Sequence, residues 1–267
     1  MPEGHTIHRL ARLHRRRYAG RPVAVSSPQG RFAASAGIVD GRVLQGAQAH
    51  GKHLFHRYGP DLVVHVHLGL YGRFSDESLP VQAPWGQVRM RMVGETHYAD
   101  LRGPAACELI TDPEAKAIRA RLGEDPLRRD AAPDRAWQRV SRSRAPLATL
   151  LMDQSVVAGV GNVYRAEVLF RQGLDPQLPG RELTREQWDA VWADLVMLMR
   201  DGVRRGMIET LRPEHDSLLP SGGGSARKVY AYRRAGEPCL VCGTPITHGR
   251  HLARNLFWCP TCQPVAG

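Results

Sequence analysis

The sequence predicts a multidomain α+β chain: an N-terminal antiparallel β-sandwich led by one helix, a helical domain, and a C-terminal cysteine ribbon. Three observations carry this reading. Apolar residues recur at helical spacing from Ile7 to Tyr18, and short alternating runs punctuated by Gly, Pro and Asp then fill the stretch from Val23 to Ile110. Helical spacing returns beyond Pro146. Finally, a C-x2-C pair occurs twice near the end of the chain. At 267 residues there is room for two or three compact units, and composition places the boundaries at 1–120, 121–218 and 219–267.

The leading helix has Ile7, Leu10, Ala11 and Tyr18 on its apolar face, Arg and His filling the other, and Gly20-Arg21-Pro22 as its stop. Pro2 therefore falls at or just before a helix N-terminus. Once Met1 is removed, as is usual before a small second residue, Pro2 is a secondary amine beside the Glu3 carboxylate. That juxtaposes a nucleophile able to form a cationic imine with an acid/base. The positive end of the helix and partial burial disfavour protonation of the amine. Pro2-Glu3 is also an ordinary start to a chain, and the pair alone decides nothing.

Strands are expected at Val23–Val25, Val43-Leu44, His53–Phe55, Leu62–Leu68 and Val88–Val93. Two tips between them matter. In His50-Gly51-Lys52-His53 a lysine follows a glycine at a hairpin turn, either as a point charge for phosphate or as a solvated turn residue. In His67-Leu68-Gly69-Leu70-Tyr71-Gly72, glycines bracket two large apolar residues, which either wedge into a base stack or fold back into the core. His65 and His67 share one strand face at a spacing that suits metal ligands, with no third ligand nearby.

The charged, Pro-rich segment 112–134 reads as the crossing between domains. Helices follow at Pro146–Asp153, at Asn162–Arg171 and at Arg185–Arg200, the last opened by Thr184 and Gln187 in capping-box spacing. Gly159 and Gly161 precede Asn162. A glycine turn opening a helix is a ready anion site to which Asn162 adds a donor, and it is equally an ordinary tight turn with an Asn cap. Ser221–Ser225 reads as a flexible loop. Cys239, Cys242, Cys259 and Cys262 leave 16 residues between the pairs, the spacing of a zinc ribbon. Four thiolates fill a tetrahedral Zn2+ and leave no open position, so one structural ion is expected. Arg254 lies between the pairs, on a hairpin ordered by that ion. The fifth cysteine, Cys107, reads as a buried apolar residue.

The formal charge of +11 favours a polyanionic partner, nucleic acid before an acidic membrane surface. Only Lys52, Lys116 and Lys228 are lysines, so the surplus is nearly all arginine. No run of 18 apolar residues is present, and Arg9–Arg17 is not followed by an apolar segment of the kind a secretory signal needs, so a cytoplasmic protein with no membrane contact is expected.

Taken together, Met1-Pro2-Glu3-Gly4, Gly51-Lys52, His67-Leu68-Gly69-Leu70, Leu122-Gly123 with Pro126-Leu127, Leu151 to Tyr164, and Gly236 to Cys262 resemble the formamidopyrimidine-DNA glycosylase and endonuclease VIII family of base-excision repair enzymes over essentially the whole chain. The resemblance implies a helix-two-turn-helix in the middle domain and a zinc finger at the end. It implies Pro2 as nucleophile at the sugar C1′ and Glu3 as acid/base, with Lys52 and Arg254 counted among the catalytic residues. Lys52, His67, Asn162 and Arg254 hold phosphates, while Leu70 and Tyr71 fill the gap left by the flipped nucleotide. The implied partner is damaged DNA, double-stranded or else single-stranded or bubble, bound by a monomer that associates with the nucleoid through its substrate. The implied activity is base removal followed by strand nicking through β,δ-elimination. His5 and Thr6 stand where the family usually has Pro and Glu. Asp100-Leu101-Arg102-Gly103-Pro104 stands where the formamidopyrimidine branch carries an Arg-Phe wedge. Gly4 and Leu70-Tyr71 resemble the endonuclease VIII branch, which favours oxidised pyrimidines over oxidised purines. A DNA-binding protein on the same fold without catalysis shares every feature except the reactivity of Pro2.

Overall fold

Helix α1 (Gly4–Tyr18) starts immediately after Glu3, which occupies the N-cap position in extended conformation. The structure, a computed structural model, describes residues 2–218, 228–251 and 254–265; Met1 and the expected loop Ser221–Ser225 lie outside them. The chain folds as two compact units, Met1–Arg121 and Leu122–Gly267.

In the first unit α1 buries Ile7, Ala11 and Tyr18 as its spacing demands. The expectation that its histidines share the outer face with arginine fails for His5 and His14, which are both buried. The reason is a polar network that periodicity cannot reveal. His14 Nε2 lies 3.0 Å from Asp76 Oδ2, His14 Nδ1 lies 2.9 Å from His56 Nε2, and the Tyr18 hydroxyl donates to Asp76 Oδ1 at 3.1 Å. Arg17 closes the set as an ion pair with the same carboxylate.

Two four-stranded antiparallel sheets enclose the core. One has the order β1 (Ala24–Ser26), β6 (Val88–Val93), β7 (His97–Arg102), β5 (Arg73–Ser78); the other is β2 (Gly46–His50), β3 (His53–Gly59), β4 (Leu62–His67), β8 (Ala106–Ile110). Alternation along β3 and β4 sends Leu54, Val64 and Val66 inward, where they meet Met90, Met92 and Leu101 of the opposite sheet. The expected strand Val43-Leu44 makes only isolated bridges. Strands β2, β5, β7 and β8 and helix α2 (Ala33–Val39) carry no strong apolar alternation and were not anticipated; β5 reads Arg-Phe-Ser-Asp-Glu-Ser because its inward positions are Phe74 and the Asp76 carboxylate. Residues 112–120, expected within the crossing, form helix α3 (Asp112–Ala120), fixed by a capping box between Thr111 and Glu114. Cys107 is half-buried and packs against the sandwich core.

The second unit contains α4 (Pro133–Val140), α5 (Leu147–Leu150), α6 (Asn162–Arg171), α7 (Arg185–Arg205) and the hairpin of β9 (Thr247–His251) with β10 (Arg254–Trp258). Its core gathers Leu147, Val157, Tyr164, Leu169, Trp188 and Leu195. Helix α7 opens with the anticipated Thr184–Gln187 capping box and runs to Gly206, whose φ of 83° is the left-handed cap that ends it.

The buried histidines make the first unit acid-labile. His56 is fully buried and its pKa lies well below 6.5, first because of burial and then because of His14, so the folded unit holds it neutral. An unfolded chain binds that proton below about pH 6.5, so the stabilisation is complete above that pH and is lost as pH falls. Burial works to raise the Asp76 carboxyl, but hydrogen bonds from His14 and Arg17 outweigh it and hold Asp76 below its ordinary value, which extends the loss to lower pH. Protection of β3 and β4 amides in hydrogen exchange is expected to fall by up to about 1.4 kcal/mol per pH unit for His56 alone below about pH 6.5.

Candidate active site

Pro2 is half-buried and Glu3 fully buried at the start of α1, where the aligned peptide dipoles concentrate positive potential. The Glu3 carbonyl accepts the first helical hydrogen bond, from Thr6 N at 2.9 Å. His5 is held neutral, its pKa pushed down to about 4, first by burial and also by Arg9. Its Nε2 lies 3.2 Å from the Thr6 hydroxyl. Glu3 is thus the one carboxylate of the first helical turn, and no second acid replaces the residues that His5 and Thr6 displace.

Lys52 sits in the turn joining β2 to β3, where Gly51 adopts φ 56°. His67 ends β4, directly opposite His53 on β3 and Ala106 on β8. One residue further the chain enters the Gly69–Gly72 turn. Gly72 N donates to the Leu68 carbonyl at 3.0 Å, and a Cβ at Gly72 would lie 2.2 Å from that oxygen, so only glycine closes the turn. Leu70 and Tyr71 consequently stand out at 51% and 86% exposure rather than folding into the core. In β7, Asp100 takes Arg91 through Nε and Nη2 at 2.6 and 2.8 Å and Arg102 Nη2 at 2.9 Å, all three side chains buried. Arg102 is thereby committed to the sheet. The spacing of His65 and His67 leads to no metal site: among the described residues the group able to hold a metal is the four cysteines.

In the second unit Gln154 shapes the glycine turn. Its Nε2 donates to the carbonyls of Met152 and Val160 at 3.0 and 2.9 Å, and its Oε1 accepts from Gly159 N at 3.0 Å. Leu122-Gly123 braces this turn, with Gly123 N bonded to the Gln154 carbonyl and no room for a Cβ against Val156 O at 2.3 Å. Asn162 then opens α6 and is buried. Its Nδ2 donates to the Asn255 carbonyl at 2.9 Å, and its Oδ1 accepts from Arg165. That carbonyl belongs to β10, next to exposed Arg254, so two of the anticipated phosphate residues are joined through one backbone group.

The four cysteine Sγ atoms lie within 4.8 Å of one another, with Cys239–Cys262 at 3.8 Å and Cys242–Cys259 at 3.4 Å. A tetrahedron with metal–sulfur bonds of about 2.3 Å has edges of about 3.8 Å, whereas a disulfide needs about 2.05 Å. The donor set fits a metal, and the disulfide alternative fails on distance. Sequence reasoning missed Glu167. From the buried face of α6 its carboxylate accepts the backbone N–H of Tyr230, Ala231 and Tyr232 at 2.7, 2.9 and 2.8 Å, tying the segment that leads into the cysteine ribbon to the helices. A lone Glu at an otherwise apolar helical position was the only available signal.

Three family models match in sequence order: the formamidopyrimidine-DNA glycosylase N-terminal domain over residues 1–107, the formamidopyrimidine-DNA glycosylase H2TH domain over 122–212, and the zinc finger found in FPG and IleRS over 236–265. Endonuclease 8 1 of Mycobacterium tuberculosis is 59% identical over 98% of this chain and 100% of its own length. Formamidopyrimidine-DNA glycosylase of Parasynechococcus marenigrum is 31% identical over 90% of this chain and 88% of its own. Among solved structures, Lactococcus lactis FPG (MutM) in complex with an oxidised-pyrimidine-containing DNA superposes with a TM-score of 0.80 at 21% identity, covering 98% of this chain and 100% of that one.

Independently of these likenesses, Glu167→Gln is expected to destabilise the second unit by about 3 kcal/mol, because an amide presents N–H to backbone N–H in a buried site. Urea unfolding measures the loss, and hydrogen exchange at 229–232 should accelerate most.

Proposed function

The chain belongs to the formamidopyrimidine-DNA glycosylase and endonuclease 8 family of DNA-repair glycosylases, and from that premise we propose that it is a bifunctional glycosylase and abasic-site lyase that removes oxidised bases, pyrimidines in preference, through a Schiff base on Pro2. The observation that carries this reading is the half-buried Pro2 and fully buried Glu3 at the positive end of α1. There the positive helix terminus disfavours protonation of the amine freed when Met1 is removed, and the adjacent carboxylate is placed to take and return protons.

The chemistry follows from those two groups. The damaged nucleotide leaves the stack, since an amine cannot reach C1′ of a paired nucleotide in line. Pro2 nitrogen forms a bond to C1′ as the C1′–N bond to the base breaks; the C1′–O4′ bond then opens, with Glu3 delivering the proton to O4′, and leaves the C1′=N iminium. The resulting iminium acidifies the C2′ proton; its removal expels the 3′ phosphate, a second elimination expels the 5′ phosphate, and water releases the enzyme. Lys52 and His67 are the phosphate ligands of the first unit, and Asn162 and Arg254 those of the second. Leu70 and Tyr71 occupy the vacated stack, as exposed apolar wedges do. The preference for pyrimidines is supported by the endonuclease 8 name of the 59% identical relative and by the commitment of Arg102 to Asp100, which leaves that strand without an arginine wedge. One structural Zn2+ on Cys239, Cys242, Cys259 and Cys262 holds the β9–β10 hairpin that presents Arg254.

Borohydride reduction during incubation with an abasic oligonucleotide is expected to trap a covalent adduct with protein lacking Met1, and none with Pro2→Gly carrying an acetylated terminus. Absence of adduct with correctly processed protein overturns the catalytic reading and leaves a DNA-binding protein on the same fold. Arg254→Ala is expected to weaken duplex binding and to reduce the slope of log K against log salt by about 0.9, one phosphate equivalent; an unchanged slope removes Arg254 from the phosphate ligands.

A further inference from the structure

The outer face of the β2-β3-β4-β8 sheet is built unlike the rest of the first unit. Direct pairing puts His50 opposite His53, His53 opposite His67, Phe55 opposite His65, and His65 opposite Glu108, so all six side chains share one face. Helix α3 covers one end of that face through Ala115 and Ile118 against Phe55 and Val63. At the Lys52 end the rings form a column: Phe55 to His65 at 5.2 Å, His65 to His53 at 5.1 Å, and His53 to His67 at 4.8 Å between centroids.

Hydrogen bonds give the column a direction. His65 Nδ1 lies 2.8 Å from Glu108 Oε1, and His53 Nδ1 lies 2.9 Å from His65 Nε2. An ionised carboxylate only accepts, so His65 carries its proton on Nδ1 and offers a bare Nε2. His53 therefore donates from Nδ1 to His65, and its own Nε2 is left a base.

We propose that Glu108, His65 and His53 form a proton-uptake relay that makes His53 a second, pH-gated phosphate-binding cation of the Lys52 turn. A proton from solvent adds to His53 Nε2 when a DNA phosphate arrives, no bond between heavy atoms changes, and the new charge is balanced through His65 by Glu108. The groups facing His53 are His50 on β2, Lys52 in the turn, His65 and His67 on β4, and Arg121 beyond α3, with Glu108 reached through His65. All but Glu108 oppose a positive charge in the unbound protein, and burial, the largest cause, pushes His53 down to about 3. His67 is likewise lowered, first by burial and then by His65 and Lys52. Only an arriving anion reverses that balance, so phosphate binding and protonation are linked.

This inference rests on the DNA-binding reading above. Affinity for a duplex carrying a tetrahydrofuran abasic analogue, read by fluorescence anisotropy at constant ionic strength, is expected to rise about fivefold to tenfold from about pH 8 to about pH 6, within the roughly hundredfold that uptake of one proton allows over that range. His53→Gln should remove most of that rise. Glu108→Gln, a change at a half-exposed residue that spares the fold, should shrink it by weakening the balance of charge. A flat response in the parent protein, or the same response in parent and both variants, overturns the relay. Borohydride trapping on the same preparations separates the two ideas. Trapping with a flat pH response sinks the relay alone, and a pH response without trapping sinks the glycosylase reading alone.

Discussion

The first unit depends on one half-buried carboxylate. Asp76 projects inward from β5 and collects His14, Arg17 and Tyr18 from successive turns of α1. Sheet and helix packing alone fixes a helix to within a sliding distance; three directional bonds onto one carboxylate fix its rotation and its advance along the axis. The residues at the other end of α1 are Pro2 and Glu3. Their placement is therefore inherited from a contact three helical turns away, made by residues that take no part in the proposed chemistry. His56 extends the network with an Nδ1 that has no partner, a local deficit that the carboxylate cluster offsets.

The second unit repeats the device with different donors. Glu167 gathers consecutive backbone N–H groups of the segment entering the cysteine ribbon, and Gln154 gathers the carbonyls and the N–H of the glycine turn before α6. In each case one polar side chain, Glu167 from α6 or Gln154 from the turn itself, sets the path of irregular backbone. Loops that must meet a charged polymer are thus rigid without being apolar, which suits surfaces that exchange water for phosphate oxygens.

What the sequence revealed followed from local rules. The start of α6 at Asn162, the capping box of α7, the strands at β4 and β6 and the metal-spaced cysteines were legible because each depends on residues within a few positions of one another. The features that were not legible are long-range and polar. His14 and Asp76 lie 62 positions apart, and His14 reads as a surface residue of a basic helix until Asp76 is seen beneath it. Strand β5 shows no sustained apolar alternation because, after Phe74, its next inward residue is a charge. Asn162 was correctly singled out, yet its partner is a carbonyl 93 positions later. Pairings of that separation have no signature in spacing.

The Gly69–Gly72 turn divides its residues by what they owe to the fold. Gly72 is fixed by the Leu68 carbonyl and Gly69 by a φ of 67° and by Ala105, so neither tolerates a side chain. Leu70 and Tyr71, largely exposed at the apex, contribute little to burial. The turn is in effect a fixed mount with interchangeable tips. Descendants of one scaffold can vary the tips without renegotiating stability, so the tips are free to diversify faster than the framework that carries them.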